Sequence, residues 1–183
     1  MAETTHNLNG NSLMRLSLIT LLGLALLPVG MPSMAADVPK KINVLLITGD
    51  DVDSHKWREV SEATRETLVA AGNFKVKVCE DPGILEATDS LKRYDVIYLS
   101  LYNAKTPTLS NSAKENLLDF VKGGKGFVVT HLSSASFKEW DEYAKLCGHI
   151  WVMGKSGHGP RATFAAKVVD ASHPITQGVK DFD

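Results

Sequence analysis

Cysteine is scarce in this chain, with two in 183 residues, Cys79 and Cys147. A disulfide framework of the kind that staples small secreted domains is therefore excluded, and a chain of this length can bury a core without one. Cys79 ends a strand-like run and Cys147 a helix-like one, so two buried free thiols are expected, with a single bridge as the other reading. Charge of one sign is lacking too: 20 Lys and Arg stand against 21 Asp and Glu, and no basic stripe occurs. Nucleic acid and anionic membrane surfaces are thereby disfavoured as partners. Phosphate-binding signatures are absent, since no Gly-x-Gly-x-x-Gly follows a strand and there is no P-loop. Absent as well are His-Glu-x-x-His and a Gly-x-Ser-x-Gly elbow.

Long apolar runs are missing, with one short exception near the start. Arg15 precedes Leu16–Leu27, about a dozen apolar residues, a length that suits a signal-peptide core and is short for a membrane span. Pro28 and Gly30 break it, and Ser33-Met34-Ala35 supplies small residues for cleavage. Residues 1–35 are therefore expected to be a signal peptide, with Ala36 or Asp37 as the new N-terminus. An uncleaved anchor is the other reading. The expected location is secreted or periplasmic, with no membrane contact after cleavage.

Beyond that segment the sequence is ordinary globular in character, with 44% hydrophobic and 22% charged residues over the whole chain. Ile42–Thr48 is a near-continuous apolar run ending at Gly49, as in a parallel strand covered on both faces. Lys56–Ala71 carries apolar groups at helical spacing. Phe74–Cys79 alternates as a more exposed strand. A short helix is expected over Ile84–Leu91, a strand over Tyr94–Ser100, and a helix over Ser110–Val121 with Ser110 or Ser112 as its cap. A fourth strand, Gly126–Thr130, stops at His131. Phe137–Leu146 reads as helix and Ala162–Val169 as a further strand. Alternation of strand and helix implies an α/β domain with a mostly parallel sheet and right-handed crossovers. The end, Ile175–Asp183, lacks a closing element, which suggests a small terminal extension or a chain cut short.

Several segments, in order, resemble the ThuA-like (trehalose-utilisation) family of the class I glutamine amidotransferase-like superfamily. They are the first strand running into Gly49, His55-Lys56-Trp57, Glu80-Asp81-Pro82, Tyr94-Asp95-Val96, Gly123–His131, Phe164–Asp170 and His173–Gly178. The resemblance covers residues 41–183. It implies a flavodoxin-like three-layer sandwich and a role in disaccharide or keto-sugar metabolism. It also implies an elbow after the fourth strand, where amidotransferase relatives carry a nucleophilic Cys. Here that place reads Thr130-His131-Leu132-Ser133, so glutaminase chemistry is not expected.

Ligands of open α/β sheets bind beyond the carboxyl ends of the strands. His55, His131 and His158 are expected there and are the candidate catalytic residues. Imidazole works as general acid or base near neutral pH, and it also ligates zinc or a similar divalent ion. The same three are the candidate metal ligands, although no tight metal spacing joins them. Each also has a plainer reading: His131 as a strand-end histidine satisfied by backbone bonds, His55 as a helix-start histidine in water, and His158 as a solvated loop residue. Asp50, Tyr102, Asn103 and Trp57 are the candidate substrate-binding residues, and Trp151 is a further aromatic that can stack on a sugar. His173, before Pro174, is expected in a structural turn. The partner expected is a small carbohydrate. A non-catalytic carbohydrate-binding or interaction module is the competing reading.

Overall fold

The structure is a computed structural model, and it describes residues 40–49, 55–103 and 108–183. The expected signal peptide and Asp50 lie outside the described residues. Among those residues, no helix is long and apolar enough to cross a membrane.

Four strands form one parallel sheet: β1 (Ile42–Gly49), β2 (Phe74–Cys79), β3 (Val96–Leu101) and β4 (Gly126–Val129). Their spatial order is β2-β1-β3-β4, the first four positions of the flavodoxin-like arrangement. β1 pairs with β2 from Ile42↔Phe74 to Ile47↔Cys79, and with β3 from Val44↔Val96 to Gly49↔Leu101. Because β1 sits between two partners and under helices, Val44, Leu45, Leu46, Ile47 and Thr48 are all buried. That double coverage is why the run shows no alternation.

Helix α1 (Trp57–Ala70) packs over β1 and β2. It is pinned there by Ser61, whose hydroxyl lies 2.6 Å from the Thr48 hydroxyl. The opposite face holds the main core, where Leu45, Ile47, Ile97, Leu99 and Leu101 meet Leu85, Leu117, Phe120 and Tyr143. Three helices contribute to it: α2 (Thr88–Leu91), α3 (Asn111–Lys122) and α4 (Asp141–Cys147). Ser110 caps α3 as expected, its Oγ accepting from the Ala113 N–H at 3.2 Å.

Four expectations need adjustment. The helix foreseen over Ile84–Leu91 is a 3-10 turn (Pro82–Glu86) followed by the single turn of α2, because Asp81 accepts from the Gly83 N–H and starts a tighter coil. The last helix begins at Asp141, since Phe137 takes a positive φ of 48° that no α-helix tolerates. Ala162–Val169 is not a strand. Its one β contact is an isolated antiparallel bridge, Ala166↔Phe182, and Val169 is 97% exposed. The segment has the alternation of a strand, but no sheet edge pairs with it. Finally, Cys79 and Cys147 are free thiols, half-buried where full burial was expected.

Candidate functional site

The site is built where the chain reverses its direction of travel across the sheet. From β1 it crosses to β2 on one side and later to β3 on the other, which makes the carboxyl ends of β1 and β3 the switch point of the sheet. Gly49 ends β1 at φ 145°, and a Cβ there would meet the Glu80 carbonyl oxygen at 3.2 Å. Glycine is what lets the strand leave the sheet at this point.

A cleft of about 220 Å³ opens over these strand ends, lined by Gly49, His55, Trp57, Tyr98, Tyr102 and His131 among others. His55 precedes α1 and His131 follows β4, 76 positions apart in the chain. The fold brings their imidazoles to a centroid separation of 4.6 Å, with the ring planes tilted by 52°. Trp57, the first residue of α1, lies half-buried on the same wall, with the Arg58 guanidinium 3.9 Å over its ring.

His131 is the first residue of a 3-10 turn, His131–Ala135, and its φ is 46°. A non-glycine residue in the left-handed region is strained, and such strain concentrates at functional sites. The turn holds His131 there through bonds to the end of β3. Ser133 Oγ accepts from the Leu101 N–H at 2.8 Å, and Ser136 Oγ donates to the Leu101 carbonyl at 2.8 Å. The Asn103 carboxamide oxygen accepts from the Phe137 N–H at 2.9 Å. From below, the Tyr143 hydroxyl donates to the Ser133 carbonyl at 2.6 Å. Burial pushes the Tyr143 phenol far up from its ordinary value, so this donor stays protonated. Burial likewise raises the Cys147 thiol, which makes it a poor nucleophile.

The sequence candidates thus separate. His55, His131, Trp57 and Tyr102 line the cleft together. Asn103 does not line it; its side chain clamps the turn that carries His131. His158 is exposed, and its Nδ1 lies 2.8 Å from the Gly159 carbonyl oxygen. Its ring sits 6.0 Å from that of Trp151. Among the described residues, no group of three His, Cys, Asp or Glu side chains is placed to hold a metal ion. The pair His55–His131 offers two of the four donors a tetrahedral zinc site takes. His173 accepts from the Ile175 N–H at 3.2 Å, as its turn reading requires. Sequence reasoning missed Tyr98 and Thr130, which line the cleft, and the serine pair Ser133 and Ser136 that sets the elbow. Only strand register can reveal Tyr98, because its neighbours in the chain read as plain core.

The described lining includes no carboxylate, lysine or arginine. It offers imidazoles, hydroxyls and aromatic faces, a set suited to a neutral ligand rich in hydroxyl groups.

Solved structures share this fold. A ThuA-like protein from Parabacteroides merdae ATCC 43184 superposes with a TM-score of 0.62 at 21% identity, over 76% of this chain and 58% of that one. A ThuA-like protein from Bacteroides uniformis ATCC 8492 gives 0.62 at 19% identity, over 84% and 61%. The chain thus spans about three fifths of the length of these relatives. A comparison with curated proteins finds no match. The family model described as "ThuA: Trehalose utilisation" matches residues 43–183, which is most of the chain, and the protein therefore belongs to the ThuA trehalose-utilisation family.

Proposed function

We propose that this domain acts on a neutral carbohydrate, a disaccharide or keto-sugar, outside the cytoplasm. His131 and His55 exchange protons with the substrate, and His158 reaches the same substrate from the neighbouring loop. The observation that carries this reading is the imidazole pair, 4.6 Å between centroids, in a cleft above the strand ends whose described lining carries no carboxylate, lysine or arginine. Two imidazoles side by side provide a base for one hydroxyl and an acid for its neighbour, the division of labour that oxidation-level-neutral sugar chemistry needs. Tyr102 supplies the hydrogen bond, and Trp57, on the face turned away from Arg58, the flat apolar surface that orients a pyranose. No thiol stands at the elbow, so glutamine is not a substrate.

A divalent ion such as zinc, bound by His55 and His131, is the second reading, favoured by the same ring proximity. There it would polarise a sugar oxygen. The test combines elemental analysis of the purified protein, calorimetric titration with a mono- and disaccharide panel, and turnover assays on the same panel. Sugar binding that disappears in His131→Ala, with the thermal midpoint held within a few degrees, is the expected result. Binding without turnover would transfer the reading to a carbohydrate-binding module. Binding that is indifferent to both His131→Ala and His55→Ala would remove the imidazoles from the site.

A further inference from the structure

A second cleft, of about 320 Å³, lies on the other side of the His131–Ala135 turn. Its walls are aromatic and apolar, with Trp140, Tyr143, Ile150, Trp151 and Met153 among them, and Lys138 and Asp141 stand at its rim. Tyr102 lines both clefts. The wall between them is one hydrogen-bonded unit. The Ser134 hydroxyl donates to the His131 carbonyl at 2.9 Å, and the Ser134 carbonyl accepts from the Trp151 N–H at 3.3 Å. The elbow that positions His131 therefore also positions Trp151.

The two tryptophans of the second cleft differ in what they can do. Trp140 is 7% exposed and stacks at 5.9 Å on Tyr143, so it is core. Trp151 is half-buried, and His158 flanks it at 6.0 Å. A half-buried indole is the kind of platform on which a sugar ring packs its axial C–H groups while its hydroxyls meet polar neighbours. The first cleft alone falls short of the roughly 300–1,000 Å³ that small-molecule sites occupy, the second lies at the low end of that range, and Tyr102 lines both.

We infer that the two clefts are adjacent subsites for one disaccharide, with one ring at His55–His131, the other on Trp151 beside His158, and Tyr102 at the glycosidic linkage between them. This rests on the carbohydrate reading above and adds the second subsite. His158 lines neither cleft and comes near this ligand only through Trp151, whose ring lies 6.0 Å from its own.

The test uses the full chain and calorimetric titration with glucose, trehalose and maltose, comparing wild type, Trp151→Ala, Trp151→Phe and His131→Ala. At least one disaccharide is expected to bind about tenfold tighter than glucose, the equivalent of one good ring contact. Trp151→Ala should bring that disaccharide to the level of glucose and leave glucose unchanged, and Trp151→Phe should restore part of the difference. His131→Ala should weaken both sugars. If glucose and the disaccharides bind equally and Trp151→Ala alters neither, the second subsite falls while the single-cleft reading stands. If Trp151→Ala weakens glucose as much as the disaccharides, Trp151 belongs to one common pocket, and the two-ring arrangement is overturned. If no sugar binds and His131→Ala is silent, both readings fall.

Discussion

The backbone at His131 carries a cost that its side chain does not require. At φ 46° the Cβ of an L-residue crowds the following carbonyl oxygen, whereas glycine has no Cβ to do so. His131→Gly is accordingly expected to be more stable than His131→Ala by about 1 kcal/mol in urea unfolding, while both lose ligand binding. A glycine variant less stable than the alanine variant would show that the elbow is not left-handed in solution. The residue is exposed, so removal of the imidazole creates no cavity in the core. That separation of strain from packing is what makes the pair of variants informative. Local sequence carries no sign of the strain, because the φ at this position is imposed by the serine bonds to β3 and the Tyr143 hydroxyl beneath.

At the level of elements, the joint between β1 and β3 has its own titratable clamp. Asp95, just before β3, accepts from the Asn43 N–H at 2.8 Å and from the Asn43 amide at 3.3 Å. The backbone bond from Asn43 is the larger cause that holds the Asp95 carboxyl below its usual range, with the Asn43 side chain adding to it. A carboxyl whose folded value is depressed stabilises the fold above its unfolded value, about 3.9. That contribution disappears as pH falls through the folded value. The stability difference between wild type and Asp95→Asn should therefore be largest above about pH 4 and shrink steadily below it. Urea unfolding midpoints taken from about pH 6 down to about pH 2.5 would measure this, and a difference constant across that range would rule the clamp out. Helix α3 offers a second check on an element end. Ser110→Ala removes the side-chain cap on the Ala113 N–H and is expected to cost about 1 kcal/mol, read as a shift in urea midpoint with unchanged slope. The four strands of the sheet are legible in the sequence because β1, β3 and β4 are largely apolar runs and β2 alternates, each bounded by loop or turn residues. Ala162–Val169 shows the limit of that method: alternation describes a side-chain pattern, while a strand also needs a partner for its backbone groups.

For the whole molecule, the expected leader leads to a prediction that the described residues do not touch. The apolar run after Arg15 and the Ser33-Met34-Ala35 site imply export with cleavage near Ala35. N-terminal sequencing of protein recovered from the periplasm or the medium should begin at Ala36 or Asp37. A cytosolic protein that retains Met1 would refute export and with it the extracytoplasmic part of the proposed function.

Class of fold, the four parallel strands and family membership were all contained in the sequence. Hydrophobic period and the order of motifs are local quantities, and a parallel α/β sheet follows from them with few topological choices. The same sequence nominated His55, His131 and His158 for one site, because residue type and loop position cannot measure distance. Tertiary structure alone decided that His55 and His131 meet while His158 stands beside Trp151. It also turned Asn103 from a candidate ligand contact into a clamp on the elbow. The reason is physical: loops take their course from the side-chain bonds that satisfy their backbone groups, and those partners lie more than thirty positions away in the chain.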